Sequence, residues 1–215
     1  MEIKVLQDIL SANNRIAQRN RCLLDEKGVF AVNLMASPGA GKTSLLLETI
    51  RRLKDRVRMA VIEADIASTL DAEKVSKAGV AAVQINTGGA CHVDANMLNN
   101  ALESISLEGV ELLILENVGN LVCPAEFSLG VNRSVMISST AEGDDKPYKY
   151  PLMFSQANAI LVNKTDLLPY LDFDMASFSR GVSIVNSKAA IIQVSCKTGQ
   201  GIDRWISWLL AEMRR

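Results

Sequence analysis

The sequence predicts an α/β fold, a mostly parallel central sheet flanked by helices and preceded by an N-terminal helix. Two observations carry this prediction. After residue 28, short apolar runs rich in β-branched residues alternate with stretches of helical period, the signature of βαβ units. The runs are also nearly continuous in apolar character, as strands covered on both faces are.

Taken in order, residues 3–24 place Ile3, Leu6, Ile9, Leu10, Ile16 and Leu23 at roughly helical spacing. Residues 1–28 are therefore read as an amphipathic helix packing on the core, and residues 29–215 as one α/β domain. The expected strands are Val29–Met35, Val57–Glu63, Val80–Ile85, Val110–Leu115, Ser134–Ser138, Ala159–Val162 and Ala190–Val194. The expected helices are Thr43–Lys54, Leu70–Lys77, Asp94–Ser106 and Gly201–Met213. No clear helix precedes Val131–Ser138, which leaves its pairing open. The stretch Glu142–Tyr150 (EGDDKPYKY) is the most polar and reads as a loop. No internal repeat or low-complexity tract interrupts the pattern.

Composition bounds the function. A chain of 215 residues with 48% apolar and 22% charged residues suits one domain with a sizeable core. The 23 basic and 24 acidic residues nearly cancel, which argues against nucleic acid or a membrane surface as partner. No apolar run approaches the ~20 residues of a membrane span. The segment Met1–Leu10 carries Glu2 and Asp8 and lacks a signal-peptide core, so a cytoplasmic location is expected. In a reducing compartment Cys22, Cys91, Cys123 and Cys196 are core thiols, metal ligands or redox groups, not disulfides.

Residues 36–43 read Ala-Ser-Pro-Gly-Ala-Gly-Lys-Thr, the Walker A pattern with Ala36 in place of the first glycine. It lies between an expected strand and an expected helix, as a P-loop must. Gly39 and Gly41 let the loop wrap so that main-chain N–H groups, Ala40 and Ser44 among their sources, converge on phosphate oxygens. The helix N-terminus adds partial positive charge. Lys42 is placed for the β- and γ-phosphates and the Thr43 hydroxyl for Mg²⁺.

Asn163-Lys164-Thr165-Asp166 follows another expected strand and matches the NKxD motif. The Asp166 carboxylate can accept from guanine N1–H and its exocyclic amine, a donor pair that adenine lacks. The Lys164 stem can cover the base, and Asn163 can tie neighbouring loops together. Ser195-Cys196-Lys197 follows the last strand and resembles the SAK loop that completes a guanine pocket. GTP and GDP are the expected ligands.

Glu116 ends a strand and begins Glu-Asn-Val-Gly, in the place of the DxxG motif. It is expected to hold Mg²⁺ through water, while the Gly119 amide meets the γ-phosphate. Asp65 ends the second strand and is expected to position the attacking water or assist the metal. Lys42, Asp65 and Glu116 are thus the expected catalytic residues, and Thr43, Asp65 and Glu116 the magnesium ligands. A metal-independent switch and a small-molecule kinase are the competing readings. The kinase reading lacks a lid-like arginine cluster.

Cys91 and His92 follow the third strand, and Cys123 lies just beyond the Glu116–Gly119 segment. In an open parallel sheet these strand ends share one edge, so the three side chains can converge. Thiolate and imidazole suit Ni²⁺, Zn²⁺ or Cu²⁺. The residues alone fit equally two buried cysteines beside an incidental histidine.

Together, ASPGAGKTSLL, GGACHVDANML, ENVGNLVCPAEFSLG, EGDDKPYKYP, NKTDLLPY and SCKTGQGID resemble the HypB-type nickel-insertion GTPases of [NiFe]-hydrogenase maturation, in the SIMIBI class. The resemblance runs from about residue 29 to the C-terminus. It implies a P-loop GTPase that forms a GTP-dependent homodimer and works with other hydrogenase maturation proteins. Nickel would be loaded into the hydrogenase large subunit. The family's metal motif maps onto Cys91, His92 and Cys123, for nickel or zinc, at the dimer interface. Some members carry an N-terminal cysteine-rich or histidine-rich nickel segment; MEIKVLQDIL is neither. The sequence also resembles urease-maturation GTPases, less closely around CHVDAN and LVCPAEF.

Overall fold

The computed structural model of the chain describes residues 2–66 and 70–215. The side chains of Ile3, Leu6 and Ile9 lie outside the described residues. Seven strands form one parallel sheet: β1 (Phe30–Ala36), β2 (Met59–Asp65), β3 (Ala81–Asn86), β4 (Leu112–Glu116), β5 (Arg133–Ser139), β6 (Ala159–Asn163) and β7 (Ala190–Gln193). Their order across the sheet is β3-β2-β4-β1-β5-β6-β7. The helices are α1 (Glu2–Glu26), α2 (Lys42–Leu53), α3 (Leu70–Lys77), α4 (Ala95–Ser104), α5 (Lys146–Lys149), α6 (Pro151–Ser155), α7 (Met175–Val185) and α8 (Ile202–Glu212).

Alternation along β1 explains why helices cover both faces. Val32 and Leu34 enter a core with Leu45 and Ile50 of α2 and Trp205 and Leu209 of α8. Ala31 enters the opposite core with Leu24 of α1 and Leu98 and Leu102 of α4. Met35 packs on that opposite side nearer α6 and α7, with Phe154 and Phe178. Side chains two apart share a face, so one apolar strand feeds both layers. β1 is also where the chain reverses direction across the sheet: β2 and β3 lie to one side, β5, β6 and β7 to the other. Ligands of open α/β sheets bind beyond the strand ends at such a switch point.

The pairing left open for β5 is settled, and α5, α6 and α7 form where no helix was expected. β5 pairs in parallel with both β1 and β6, although no helix precedes it. The chain reaches it through an irregular crossover holding only a 3₁₀ turn at Cys123–Ala125. The polar stretch 142–150 is not all loop: a 3₁₀ turn spans Thr140–Glu142 and α5 follows. The N-cap of α7, Asp174, accepts from the Ala176 amide at 2.7 Å. Gly181 interrupts its helical pattern because Tyr148 packs there; a Cβ on Gly181 would lie 2.7 Å from the Tyr148 ring.

One buried polar link pins α8 to α2. Trp205, fully buried, donates its indole N–H to Thr49 Oγ1 at 2.8 Å, and that hydroxyl donates to Leu45 O at 2.7 Å. Thr49→Val keeps the shape and removes the acceptor, leaving a buried N–H unpaired. Urea unfolding should show a loss of about 1–3 kcal/mol. An unchanged midpoint and slope would mean that the indole is satisfied elsewhere.

Candidate nucleotide and metal site

β1 runs straight into the glycine-rich loop, and α2 begins at Lys42. Gly39 (φ +77°) and Gly41 (φ +102°) both adopt left-handed backbone. At Gly41 space is short as well: a Cβ would lie 2.4 Å from Asn163 Nδ2. Ala36 and Ala40 are fully buried, so only their main chains are available to a ligand or a neighbour.

Two clefts meet at this loop and share Gly41 and Ser44. The first, about 510 Å³, is lined by Gly39, Lys42 and Thr43 from the loop, Asp65 and Lys74 from β2 and α3, Glu116 at the end of β4 and Gly119 just beyond it. The Thr43 hydroxyl donates to Glu116 Oε1 at 2.8 Å. Glu63 also lines this cleft; it is buried and pairs in register with Glu116 on the adjoining strand. Register partners in a parallel pair share a face, so two buried carboxylates lie side by side next to a hydroxyl. That is a hard-oxygen donor set suited to Mg²⁺. The sequence pointed to Asp65 and Glu116. Glu63 was missed because it sits inside an apolar strand run, and only the register reveals its neighbour.

The second cleft, about 420 Å³, is lined by Asn163, Lys164, Asp166, Cys196 and Lys197. Asn163 is a brace: Nδ2 donates to Ala40 O at 2.9 Å and Oδ1 accepts from the Cys196 amide at 3.2 Å. Lys164, with left-handed φ of 61°, donates from Nζ to Gly39 O at 2.7 Å. Ser195 is fully buried; its Oγ donates to Asp166 Oδ1 at 2.6 Å and accepts from the Thr198 amide. The structure therefore uses Ser195 to orient Asp166. Burial pushes the Cys196 thiol up to about 11, so it enters the pocket as a neutral wall.

The three metal candidates do converge. Cys91 Sγ and Cys123 Sγ are 2.9 Å apart, and Cys91 Sγ lies 3.8 Å from His92 Nδ1. All three ligand atoms fall within 4.8 Å of one another, and each residue is half-buried. Both cysteines are free thiols. Its hydrogen bond with Cys91, then burial, holds the Cys123 thiol above its usual range. Burial lowers His92, against the opposing pull of Asp94 and Glu126, which favours the neutral imidazole that ligates metal. The His92 ring stacks on Phe127 with centroids 4.0 Å apart.

Two asparagines not singled out in the sequence join the clefts to this trio. The Asn120 amide donates to Ala36 O of the phosphate loop at 2.8 Å, and its Nδ2 donates to Cys91 O at 3.3 Å. Its side chain also lies beside the Cys123 thiol, where it partly offsets the upward shift of that group. Asn117, fully buried between Glu116 and Gly119, accepts from the Val93 amide at 3.1 Å and donates to Asn33 Oδ1. The segment facing the phosphate cleft is thus bonded to the loop that carries Cys91 and His92. Asparagine in a loop reads as a turn residue, and its main-chain partners leave no trace in sequence.

Among the described residues, no helix is long and apolar enough to cross a membrane. Residues 30–193 match the family described as CobW/HypB/UreG, nucleotide-binding domain. The chain is 46% identical over 209 residues to the hydrogenase maturation factor HypB of Escherichia coli K12, covering 97% of this chain and 71% of that one. The crystal structure of hydrogenase maturation factor HypB from Archaeoglobus fulgidus superposes with a TM-score of 0.89 at 38% identity, covering 95% of this chain and 100% of that one. HypB from Helicobacter pylori, solved in complex with nickel, superposes with a TM-score of 0.90 at 35% identity, covering 94% and 95%.

Proposed function

This chain belongs to the HypB-type hydrogenase maturation GTPases of the P-loop class, and from that premise we propose that its GTPase cycle governs a nickel ion carried by Cys91, His92 and Cys123. The phosphates of GTP lie along Gly39–Ser44, with Lys42 against the β- and γ-phosphates and the Gly119 amide against the γ-phosphate. Guanine lies over Lys164 against Asp166, bounded by Cys196 and Lys197. Thr43 and Glu116 would hold magnesium, with Glu63 and Asp65 completing the acidic wall. A magnesium ion held there would neutralise phosphate charge. Asp65 orients the attacking water, and Glu116 keeps the Thr43 hydroxyl in position until nucleotide arrives.

Nickel is the cargo. Two thiols and a neutral imidazole suit it or zinc better than a hard cation. Three ligands from one chain leave an open position, which suits a metal that must be passed on. The family's GTP-dependent homodimer would set two such sites near each other. Other hydrogenase maturation proteins and the hydrogenase large subunit are the proposed partners.

The observation that carries this reading is Asn120. It bonds the phosphate loop and the Cys91 main chain at once, and its side chain lies beside the Cys123 thiol. A γ-phosphate that draws Gly119 toward Lys42 moves the adjoining Asn120 and hence both thiols. This is the local contact change that a nucleotide switch requires. The test is nickel affinity and light scattering in GDP and in a non-hydrolysable GTP analogue, in the native chain and in Asn120→Ala. The native chain should differ about tenfold or more between states, a coupling of about 1.4 kcal/mol. Asn120→Ala should lose most of that difference while still binding nucleotide. Equal affinity and equal dimer fraction in both states of the native chain would overturn the coupling.

A further inference from the structure

The N-terminal helix holds two buried asparagines seven residues apart, and therefore on one face. Asn13 is 8% exposed and Asn20 fully buried. Asn13 Oδ1 accepts from the Ala95 amide at 2.9 Å, and its Nδ2 donates to Ser128 O at 2.8 Å. Asn20 Nδ2 donates to Ala95 O at 2.8 Å and to Leu129 O at 3.2 Å. Ala95 lies four residues after Cys91; Ser128 and Leu129 lie five and six after Cys123. The two segments leave different strands, β3 and β4, which are separated by β2. Each asparagine of α1 therefore ties the segment carrying Cys91 and His92 to the segment carrying Cys123.

The approach is close and deliberate. Gly130 has φ of +84°, and a Cβ there would lie 2.0 Å from Ala17 O of α1. Amides buried this way hold their geometry, because losing a partner leaves a desolvated polar group. The route to the ligands is short. Ser128 follows Phe127, whose ring is stacked on His92. Ala95 opens α4, one residue after its N-cap Asp94 and three after His92.

We propose that Asn13 and Asn20 are positioning residues for the metal cluster. They set the spacing between the Cys91–His92 segment and the Cys123 segment, which makes α1 part of the cargo-metal site. The inference rests on reading that trio as the nickel site. It extends that reading to a helix that carries no ligand of its own. Groups that orient metal ligands typically change metal affinity 10- to 100-fold when removed.

The deciding variant is Asn13→Asp. It keeps the acceptor for the Ala95 amide at the start of α4 and removes the donor to Ser128 O. A role confined to holding the helix end predicts no effect on metal. A bridging role predicts nickel affinity roughly tenfold weaker and a shifted sulfur-to-nickel charge-transfer band. GDP affinity should stay within about twofold, because α1 contributes nothing to the nucleotide clefts. Asn13→Ala and Asn20→Ala should weaken nickel binding at least as much, each checked by cooperative melting and GDP binding. A metal-free readout accompanies these: the rate at which diamide, reduced to its hydrazine, joins the two thiols of Cys91 and Cys123 as a disulfide. That rate should fall in the variants. Unchanged nickel affinity, band and diamide rate in all three would overturn the proposal. If the native chain bound no nickel, the metal reading would fall, and the diamide rates would still decide whether the asparagines set the spacing.

Discussion

Asp166→Asn is expected to exchange the nucleotide the protein uses, from guanosine to xanthosine triphosphate. Asp166 offers acceptors only, and Ser195 Oγ already orients one of its oxygens at 2.6 Å. A carboxylate so placed accepts from guanine N1–H and from the amine at C2. The asparagine amide offers one acceptor and one donor face, so one guanine donor meets another donor. Hydrogen bonds to charged groups contribute about 1.5–3 kcal/mol each, and a mismatched donor adds its desolvation cost. GTP affinity should fall roughly 10²- to 10⁴-fold. Xanthine carries a carbonyl at C2, which the new amide can donate to. Steady-state hydrolysis with both nucleotides checks this. A variant that still prefers GTP would show that the base is read elsewhere.

Gly119→Ala should separate GDP from GTP. The backbone at Gly119 lies outside the left-handed region, so alanine imposes no conformational strain there. The obstacle is space: a Cβ would lie 3.0 Å from Pro38 N, 3.1 Å from Pro38 Cα and 3.2 Å from Lys42 Nζ. Two of those atoms are main chain of the phosphate loop and cannot yield cheaply. The segment must back away from the γ-phosphate position, taking its amide with it. Losing one such preorganised donor costs about 10²- to 10³-fold in rate. GDP affinity should change less than about threefold, since GDP makes no γ-phosphate contact. The same retreat moves Asn120, so nickel affinity should no longer depend on nucleotide. Phosphate release, GDP titration and nickel titration measure the three effects. A variant that hydrolyses GTP at the native rate would show that the Gly119 amide takes no part.

The fold was legible where chemistry is local. Ala36–Thr43, Asn163–Asp166 and Ser195–Lys197 each follow a strand and carry residue types that few other uses require. Cys91, His92 and Cys123 were legible as candidates because parallel strand ends share an edge. Their 2.9 Å approach was not, since it depends on two loops meeting across the end of β2. α7 was hidden by small residues and by a glycine whose purpose is the Tyr148 ring. β5 was ambiguous because its crossover has no helix to mark a parallel return. Asn13, Asn20, Asn117 and Asn120 were invisible for one reason. Each works through main-chain atoms of segments distant in sequence, and main-chain atoms have no residue type to read.

The bonds of Asn13 and Asn20 span 75 to 115 residues. On the ribosome, α1 is made before the segments it bonds and must wait for them. Its amides have no native partners until Ala95 has been made, and the second set arrives only with Ser128 and Leu129. Contacts this distant are slow to form because the intervening loop must close before they contribute anything. The docking of α1 is therefore a late event, reached only when β1 to β4 and the crossover beyond them are in place. Until then Cys91 and Cys123 are two separate thiols on a growing chain, and the pair is assembled only in a molecule whose phosphate loop has already been built.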